Sequence, residues 1–249
     1  MSRVVFDFTG ENFVVTGASS GMGRQVAVEL ATAGANVLAI ARNEARLQAL
    51  QAQYPANISV AALDVCDSEK MENAIKDFVG EHGKLHGGVH AAGINNFTPL
   101  KTYDKSLANK IMDTSFWAGV ELARIVTKAK YANKGISTVL FSSVCAQSDE
   151  KGMFAYASAK AAVNACVKSI AKEINAKGHR INSIMPGWVE NSTMTTSVDG
   201  MIDQNFFKKT HLLGLANPDD VTGMVLFLLS DRGSWITGSN IAVDGGYLA

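Results

Sequence analysis

The sequence predicts an α/β fold in which a parallel sheet is covered by helices on both faces. Three observations carry this. Short apolar runs alternate with longer stretches of helical period. Most of the runs are continuous and rich in Val, Ile and Leu, as strands buried on both faces must be. A glycine-rich turn separates the first run from the first helical stretch.

In order, the predicted strands are Phe13–Thr16, Val37–Ala41, Ile58–Leu63, Val89–Ala91, Thr138–Ser142, Ile181–Met185 and Ile241–Val243. Between them the predicted helices are Gly21–Ala33, Glu44–Gln53, Ser68–His82, Ser106–Ala132, Tyr156–Lys177 and Pro218–Ser230. In the fourth, Leu107, Ile111, Ala118, Leu122, Ile125 and Ala129 trace one apolar face. No repeat or Pro/Ser-rich linker interrupts the pattern, so residues 1–249 are expected to form a single domain. After Pro186–Gly187 the alternation lapses until Pro218. An insert this long reads as a substrate lid near residues 190–215.

Hydrophobic residues make up 47% of the chain and charged residues 18%, enough for a large core. The formal net charge is zero, which offers no long-range attraction to nucleic acid or an anionic membrane. A small-molecule partner is expected instead. No stretch approaches the roughly 20 apolar residues of a membrane helix, and no signal-peptide-like run opens the chain. Three cysteines at unrelated spacings suggest neither a disulfide framework nor a zinc site. A cytoplasmic location follows as the expectation.

The turn after the first strand reads Thr16-Gly17-Ala18-Ser19-Ser20-Gly21-Met22-Gly23 and leads into a helix. Glycines there let backbone N–H groups approach a pyrophosphate at the positive helix end. The spacing is G-x-x-x-G-x-G rather than G-x-G-x-x-G. The second strand ends in Ala39-Ile40-Ala41-Arg42-Asn43, where an NAD site would place a carboxylate for the adenosine ribose. No acid is present, and Arg42 is available for a 2′-phosphate. The turn and Arg42–Asn43 together point to NADP(H).

Tyr156 and Lys160 lie four apart on a predicted helix and so share one face, while Ser143 follows a buried strand. Reducing a ketone needs a hydride at carbon and a proton at oxygen. A phenol of pKa about 10 is a sluggish acid–base near neutrality unless a cation stabilises its phenolate. Lys160 can supply that charge, and Ser143 can hydrogen-bond the substrate oxygen.

With Leu63-Asp64-Val65, Ala91-Ala92-Gly93, Pro186-Gly187 and the ending Ile236-Thr237-Gly238…Val243-Asp244-Gly245-Gly246, the sequence resembles the short-chain dehydrogenase/reductase family along nearly its whole length. The resemblance implies a Rossmann-like doubly wound parallel sheet of about seven strands. It implies that Asp64 and Val65 lie against the adenine and that Ala91, Ala92 and Gly93 pass near the adenosine ribose. Lys160 would also hold the nicotinamide ribose, and Pro186, Gly187 and Val189 would pack beside the carboxamide. A homotetramer or homodimer is implied as well, with the long helices ending near Ala132 and Lys177 in one interface.

Three positions depart from the family pattern. Its Asn-Asn-Ala-Gly reads His90-Ala91-Ala92-Gly93 here, and His90 is taken as a core-facing strand residue. Ser115 stands where an asparagine usually holds a relay water, and is kept as a fourth catalytic candidate. The threonine usual after Pro-Gly is displaced, with Asn191, Ser192 and Thr193 nearby. His82, His86 and His90 recur every four residues, but the glycines among them argue against one helix face and a metal site. Cys145 is expected to be a small buried residue beside the site. Met194, Met201, Ile202, Phe206 and Phe207 suit either a partly apolar substrate pocket or packing of the lid. The leading expectation is hydride transfer between NADP(H) and a small carbonyl or secondary alcohol. An NAD-linked alcohol dehydrogenase and a non-catalytic NADP(H)-binding sensor are the alternatives.

Overall fold

Seven strands form one parallel sheet in the computed structural model, which describes residues 4–148, 151–190 and 204–249. They are β1 (Asn12–Thr16), β2 (Asn36–Ala41), β3 (Ile58–Ala62), β4 (Leu85–His90), β5 (Ala132–Phe141), β6 (Arg180–Pro186) and β7 (Asn240–Val243). The order across the sheet is β3-β2-β1-β4-β5-β6-β7. The helices are α1 (Gly21–Thr32), α2 (Glu44–Gln53), α3 (Ser68–His82), α4 (Lys105–Met112), α5 (Ala118–Val126), α6 (Phe154–Ile174), α7 (Gln204–Thr210) and α8 (Pro218–Leu229). This is the Rossmann-like doubly wound arrangement.

Both faces of the sheet are apolar because successive strand residues point to opposite sides. Val15, Val37 and Val139 pack with Val26 and Leu30 of α1, Leu47 of α2 and Val225 of α8. Their neighbours Val14 and Leu38 face the other way, against Met71 and Ile75 of α3 and Leu122 of α5. Beside them Leu140 and Ile181 meet Val163 and Val167 of α6. Each fully buried side chain of this kind contributes about 2 kcal/mol. The helix starts are set locally. Asn43 accepts the Arg46 N–H at 3.0 Å, and Asp67 the Lys70 N–H at 3.1 Å. Asn217 and Asp220 form a capping box at α8.

The order reverses at β1, which lies between β2 and β4 with Thr16 opposite His90. At such a switch the connections leave to opposite faces, and a crevice opens beyond the carboxyl ends of the strands. The glycine turn after β1 and the Ala91–Gly93 segment after β4 face each other there. Their approach is close: a Cβ on Gly17, whose φ is +72°, would lie 2.6 Å from the Ala92 nitrogen.

The predicted helix Ser106–Ala132 is not continuous. It divides into α4, a π-helical turn at Asp113–Trp117 and α5. The extra residue of the π turn shifts the phase of the apolar face. Ile111 then packs beside Tyr156 on α6, while Ala118, Leu122 and Ile125 pack on the sheet. The helical phase ends at Val126, so Ala129 is exposed and Ala132 opens β5 beside Leu85. Glu72 on α3 fixes this turn, with Lys128 at 2.6 Å, Lys130 at 3.0 Å and the Tyr131 hydroxyl at 3.1 Å. β4 also starts earlier than predicted, at Leu85, and ends at His90. No helix among the described residues is long and apolar enough to cross a membrane.

Candidate active site

The crevice at the switch is a cleft of about 330 Å³. One wall is the glycine turn, from Gly17 through Ser19, Ser20, Gly21 and Met22 to Gly23. The Ser20 side chain does not cap α1, whose first residues Gly21, Met22 and Gly23 line the cleft, and helix-end N–H groups of this kind suit an anion. Arg42, Asn43 and Arg46 line one end. Asp64, Val65 and Ala91 to Gly93 line the wall opposite the turn, and Tyr156 and Lys160 close the other end. Arg42 and Asn43 follow β2 directly, while Arg46 reaches the cleft from the first turn of α2. A cleft with helix-end N–H donors along it and two guanidinium groups at one end fits a phosphorylated dinucleotide.

Lys160 is only 2% exposed. Its ammonium donates to the Phe141 carbonyl at 2.7 Å and lies 5.5 Å from the centre of the Tyr156 ring. Burial pushes its pKa down to about 8. The Lys160 carbonyl in turn accepts from the Ser142 hydroxyl at 2.9 Å, tying α6 to the end of β5. Ser143 is the next residue. It is buried, and its Oγ accepts the Cys145 N–H at 3.2 Å across a short 3₁₀ turn. Cys145 is half-buried and packs against the cluster that contains Tyr156.

Ser143 and Ser115 are not among the residues lining the cleft. Ser115 is fully buried in the π turn, where its Oγ accepts the Ile94 N–H at 3.3 Å. Its neighbour Thr114 lines the cleft instead, as do Ala41, Arg46, Leu63, Phe141 and Ser142. Sequence reasoning missed these six as site residues. Only Arg46 left a usable signal: it is a second arginine, in the first turn of the helix that follows Arg42.

Pro186, which ends β6, and Gly187 and Val189 after it are not among the residues lining the cleft. The Trp188 N–H donates to His211 Nε2 at 2.9 Å, and the Trp188 ring stacks on Phe207 at 4.4 Å. Val189 bridges to Ala216. Phe207 of α7 thus packs against the segment that follows β6. Asn191, Ser192, Thr193, Met194, Met201 and Ile202 lie outside the described residues, as does the side chain of Phe206.

The three spaced histidines are not brought together. His82 ends α3 and lies tilted against the Phe78 ring, His86 accepts the Asn12 N–H at 3.0 Å, and His90 ends β4. His90 is buried in the core with both ring nitrogens bonded. Burial, assisted by the nearby Lys160 charge, pushes its pKa down to about 3. The unfolded chain accepts this proton below a pH of about 6.5 and the folded chain refuses it, so folding is favoured above that pH. Stability is expected to fall by about 1.4 kcal/mol per pH unit on this account as pH drops from about 6.5 towards 3. Urea midpoints at a series of pH values would show it, and His90→Gln should flatten the curve. An unchanged acid slope in that variant would contradict the neutral buried imidazole.

The family model described as enoyl-(acyl carrier protein) reductase matches residues 17–248. A 3-oxoacyl-[acyl-carrier-protein] reductase of Rickettsia conorii is 30% identical over 245 residues, covering 98% of this chain and 99% of that protein. L-xylulose reductase of Caenorhabditis elegans is 30% identical over 250 residues, covering 97% of each. The solved structure of a short-chain type dehydrogenase/reductase from Mycobacterium ulcerans superposes with a TM-score of 0.91 at 28% identity, over 98% of this chain and 91% of that one. Matched from the glycine turn almost to its last residue, and aligned with these relatives along nearly their whole length, the chain belongs to the short-chain dehydrogenase/reductase family of nicotinamide-binding oxidoreductases.

Proposed function

We propose that this protein transfers a hydride reversibly between NADP(H) and a small carbonyl compound or the corresponding secondary alcohol. The observation that carries the reading is a single cleft with Arg42 and Arg46 at one end and Tyr156 beside the buried Lys160 at the other. The two guanidinium groups suit a 2′-phosphate, whose charge they can bind bidentately. The N–H groups of Gly21, Met22 and Gly23 suit the pyrophosphate. Asp64, Val65 and Ala91 to Gly93 suit the adenosine, and Lys160 suits the nicotinamide end.

When bound, the cofactor supplies the hydride. The chain's own part is to move a proton and hold a carbonyl. Tyr156 gives its hydroxyl proton to the substrate oxygen in reduction and takes it back in oxidation. Lys160, charged below a pH of about 8, stabilises the phenolate left behind. Ser143 orients the carbonyl, and Ser115 supports the turn beneath it. The R. conorii and C. elegans relatives, named for a 3-oxoacyl group and for L-xylulose, support a ketone as the reacting group. The exposed Trp117 and Phe154 near α5 and α6 are consistent with a homodimer or homotetramer.

The test is NADPH consumption, with NADH in parallel, against 3-oxoacyl thioesters, keto sugars and cyclic ketones. NADPH oxidation by one of these classes is the expected result. Arg42→Ala should then weaken NADPH binding about tenfold or more while leaving NADH within about twofold, since a charge-assisted bond to the extra phosphate contributes about 1.5–3 kcal/mol. Equal losses for both cofactors would favour an NAD-linked dehydrogenase. Tight NADPH binding with no turnover across the panel would favour a sensor.

A further inference from the structure

β4 ends in His90, and the positions of its two ring nitrogens decide how it is used. Nε2 lies 3.0 Å from the Thr114 carbonyl oxygen, which can only accept, so Nε2 carries the proton. Nδ1 therefore presents a lone pair, and the Thr16 hydroxyl 2.9 Å away donates to it. The ring is neutral, in one tautomer, and fully used. Space for it is made by Gly119 at the start of α5, where a Cβ would lie 2.9 Å from the ring's Cδ2.

Thr114 belongs to the π turn, and its carbonyl oxygen accepts the His90 Nε2–H. His90 thereby ties this irregular turn to the end of β4. One residue on, Ser115 accepts the Ile94 N–H. These two bonds leave the chain on either side of Ala91–Gly93: His90 immediately precedes the segment and Ile94 immediately follows it. The π turn is thereby pinned at two points to the segment that lines the cleft, and Thr114 lines the same cleft with Tyr156 and Lys160. Through Thr16 the ring also reaches the residue that opens the glycine turn.

We propose that His90 is a positioning residue: it locks the π turn, the Ala91–Gly93 wall and the start of the glycine turn into one unit at the reacting end of the cleft. The proposal rests on the hydride-transfer reading for its kinetic consequence, but not for its structural one. Touching no reacting atom, His90 acts through the Thr114–Ser115 turn and the Ala91–Gly93 segment.

Two variants separate this from simple core packing. His90→Gln keeps a donor and an acceptor, whereas His90→Phe keeps a ring and loses both nitrogens. Hydrogen exchange on the cofactor-free protein is the first readout. In His90→Phe, segments 91–97 and 112–118 should exchange together about tenfold faster or more, with β2 and β3 at wild-type rates, because a buried carbonyl has lost its partner. His90→Gln should stay within about threefold of wild type at both. The second readout is turnover at saturating NADPH. His90→Phe should lower kcat about tenfold and raise the kinetic isotope effect with 4-deuterated NADPH, whereas a mere loss of folded protein leaves that isotope effect unchanged.

Wild-type exchange in both segments of folded His90→Phe would overturn the proposal, as would an unchanged isotope effect in an active enzyme. Should His90→Phe not fold, Thr16→Val removes only the hydroxyl that holds Nδ1. The same two segments should then loosen together, and their failure to do so overturns the idea equally. If the wild-type protein reduces no carbonyl, the hydride-transfer reading fails by itself, and the exchange arm still decides the clamp.

Discussion

Tyr156→Phe is expected to lower carbonyl turnover by about a thousandfold or more while NADPH binding stays within about twofold of wild type. The variant removes one oxygen and no ring. Tyr156 is 6% exposed and packs with Ile111, Met153 and Ala159, so the phenylalanine keeps the same apolar neighbours and the fold has no reason to change. What is lost is the phenolic hydroxyl placed beside the buried Lys160 ammonium at that end of the cleft. Lys160 cannot take over the role in place, since its ammonium donates to the Phe141 carbonyl and serves by its charge. The arginines, the glycine turn and the Ala91–Gly93 wall are untouched, which is why cofactor affinity should hold. Stopped-flow or steady-state NADPH oxidation, with a parallel fluorescence titration, measures both halves. Substantial turnover in this variant would remove Tyr156 from the reaction and with it the proposed mechanism.

Gly17→Ala is expected to be nearly as damaging, by a different route. A Cβ at this position would stand 2.6 Å from the Ala92 nitrogen, 2.7 Å from the Ala91 carbonyl carbon and 2.8 Å from its oxygen. All three are backbone atoms and cannot swing aside as the end of a flexible side chain can. The positive φ of +72° adds about 1 kcal/mol of strain for any L side chain. Relief requires the exits of β1 and β4 to separate, which opens the cleft along its length. Loss of about 3 kcal/mol or more of unfolding free energy is expected, together with loss of NADPH binding. Gly10→Ala is the internal control. Its φ of +78° is similar, but nothing lies within 4 Å of the added carbon, so only the strain of about 1 kcal/mol should appear. Denaturant midpoints for the two variants make the comparison. Equal losses would mean that the two strand exits are not in contact as described.

Much of this architecture was legible in the residues because each layer of the fold repeats one simple demand. A strand buried on both faces must be apolar throughout, and a glycine turn where a strand meets a helix must admit something close to the backbone. Those demands located every strand and the glycine turn, the missing acid after the second strand pointed to Arg42, and Asp64 and Ala91–Gly93 came from the family resemblance. The breaks came where a third element decided the outcome. The helix predicted to run to Ala132 has no glycine or proline after Val126 to stop it. It stops because Glu72, more than fifty residues earlier, gathers Lys128, Lys130 and Tyr131, and because Ala132 pairs beside Leu85. The π turn is equally silent in the sequence, since its donor comes from a histidine on another element. Thr114, Phe141 and Ser142 reach the cleft through backbone trajectory, which no residue type announces.

The fit between His90 and Gly119 also bears on how such a sequence can change. A methyl group at position 119 would press into the imidazole ring, so the two residues cannot be exchanged in arbitrary order. A lineage moving from the family's usual asparagine at this point to histidine must first empty position 119. One moving back passes through a form with an unfilled space beside the sheet. The histidine therefore acts as a ratchet: once it is seated, any larger residue at 119 is closed off until the ring itself is given up.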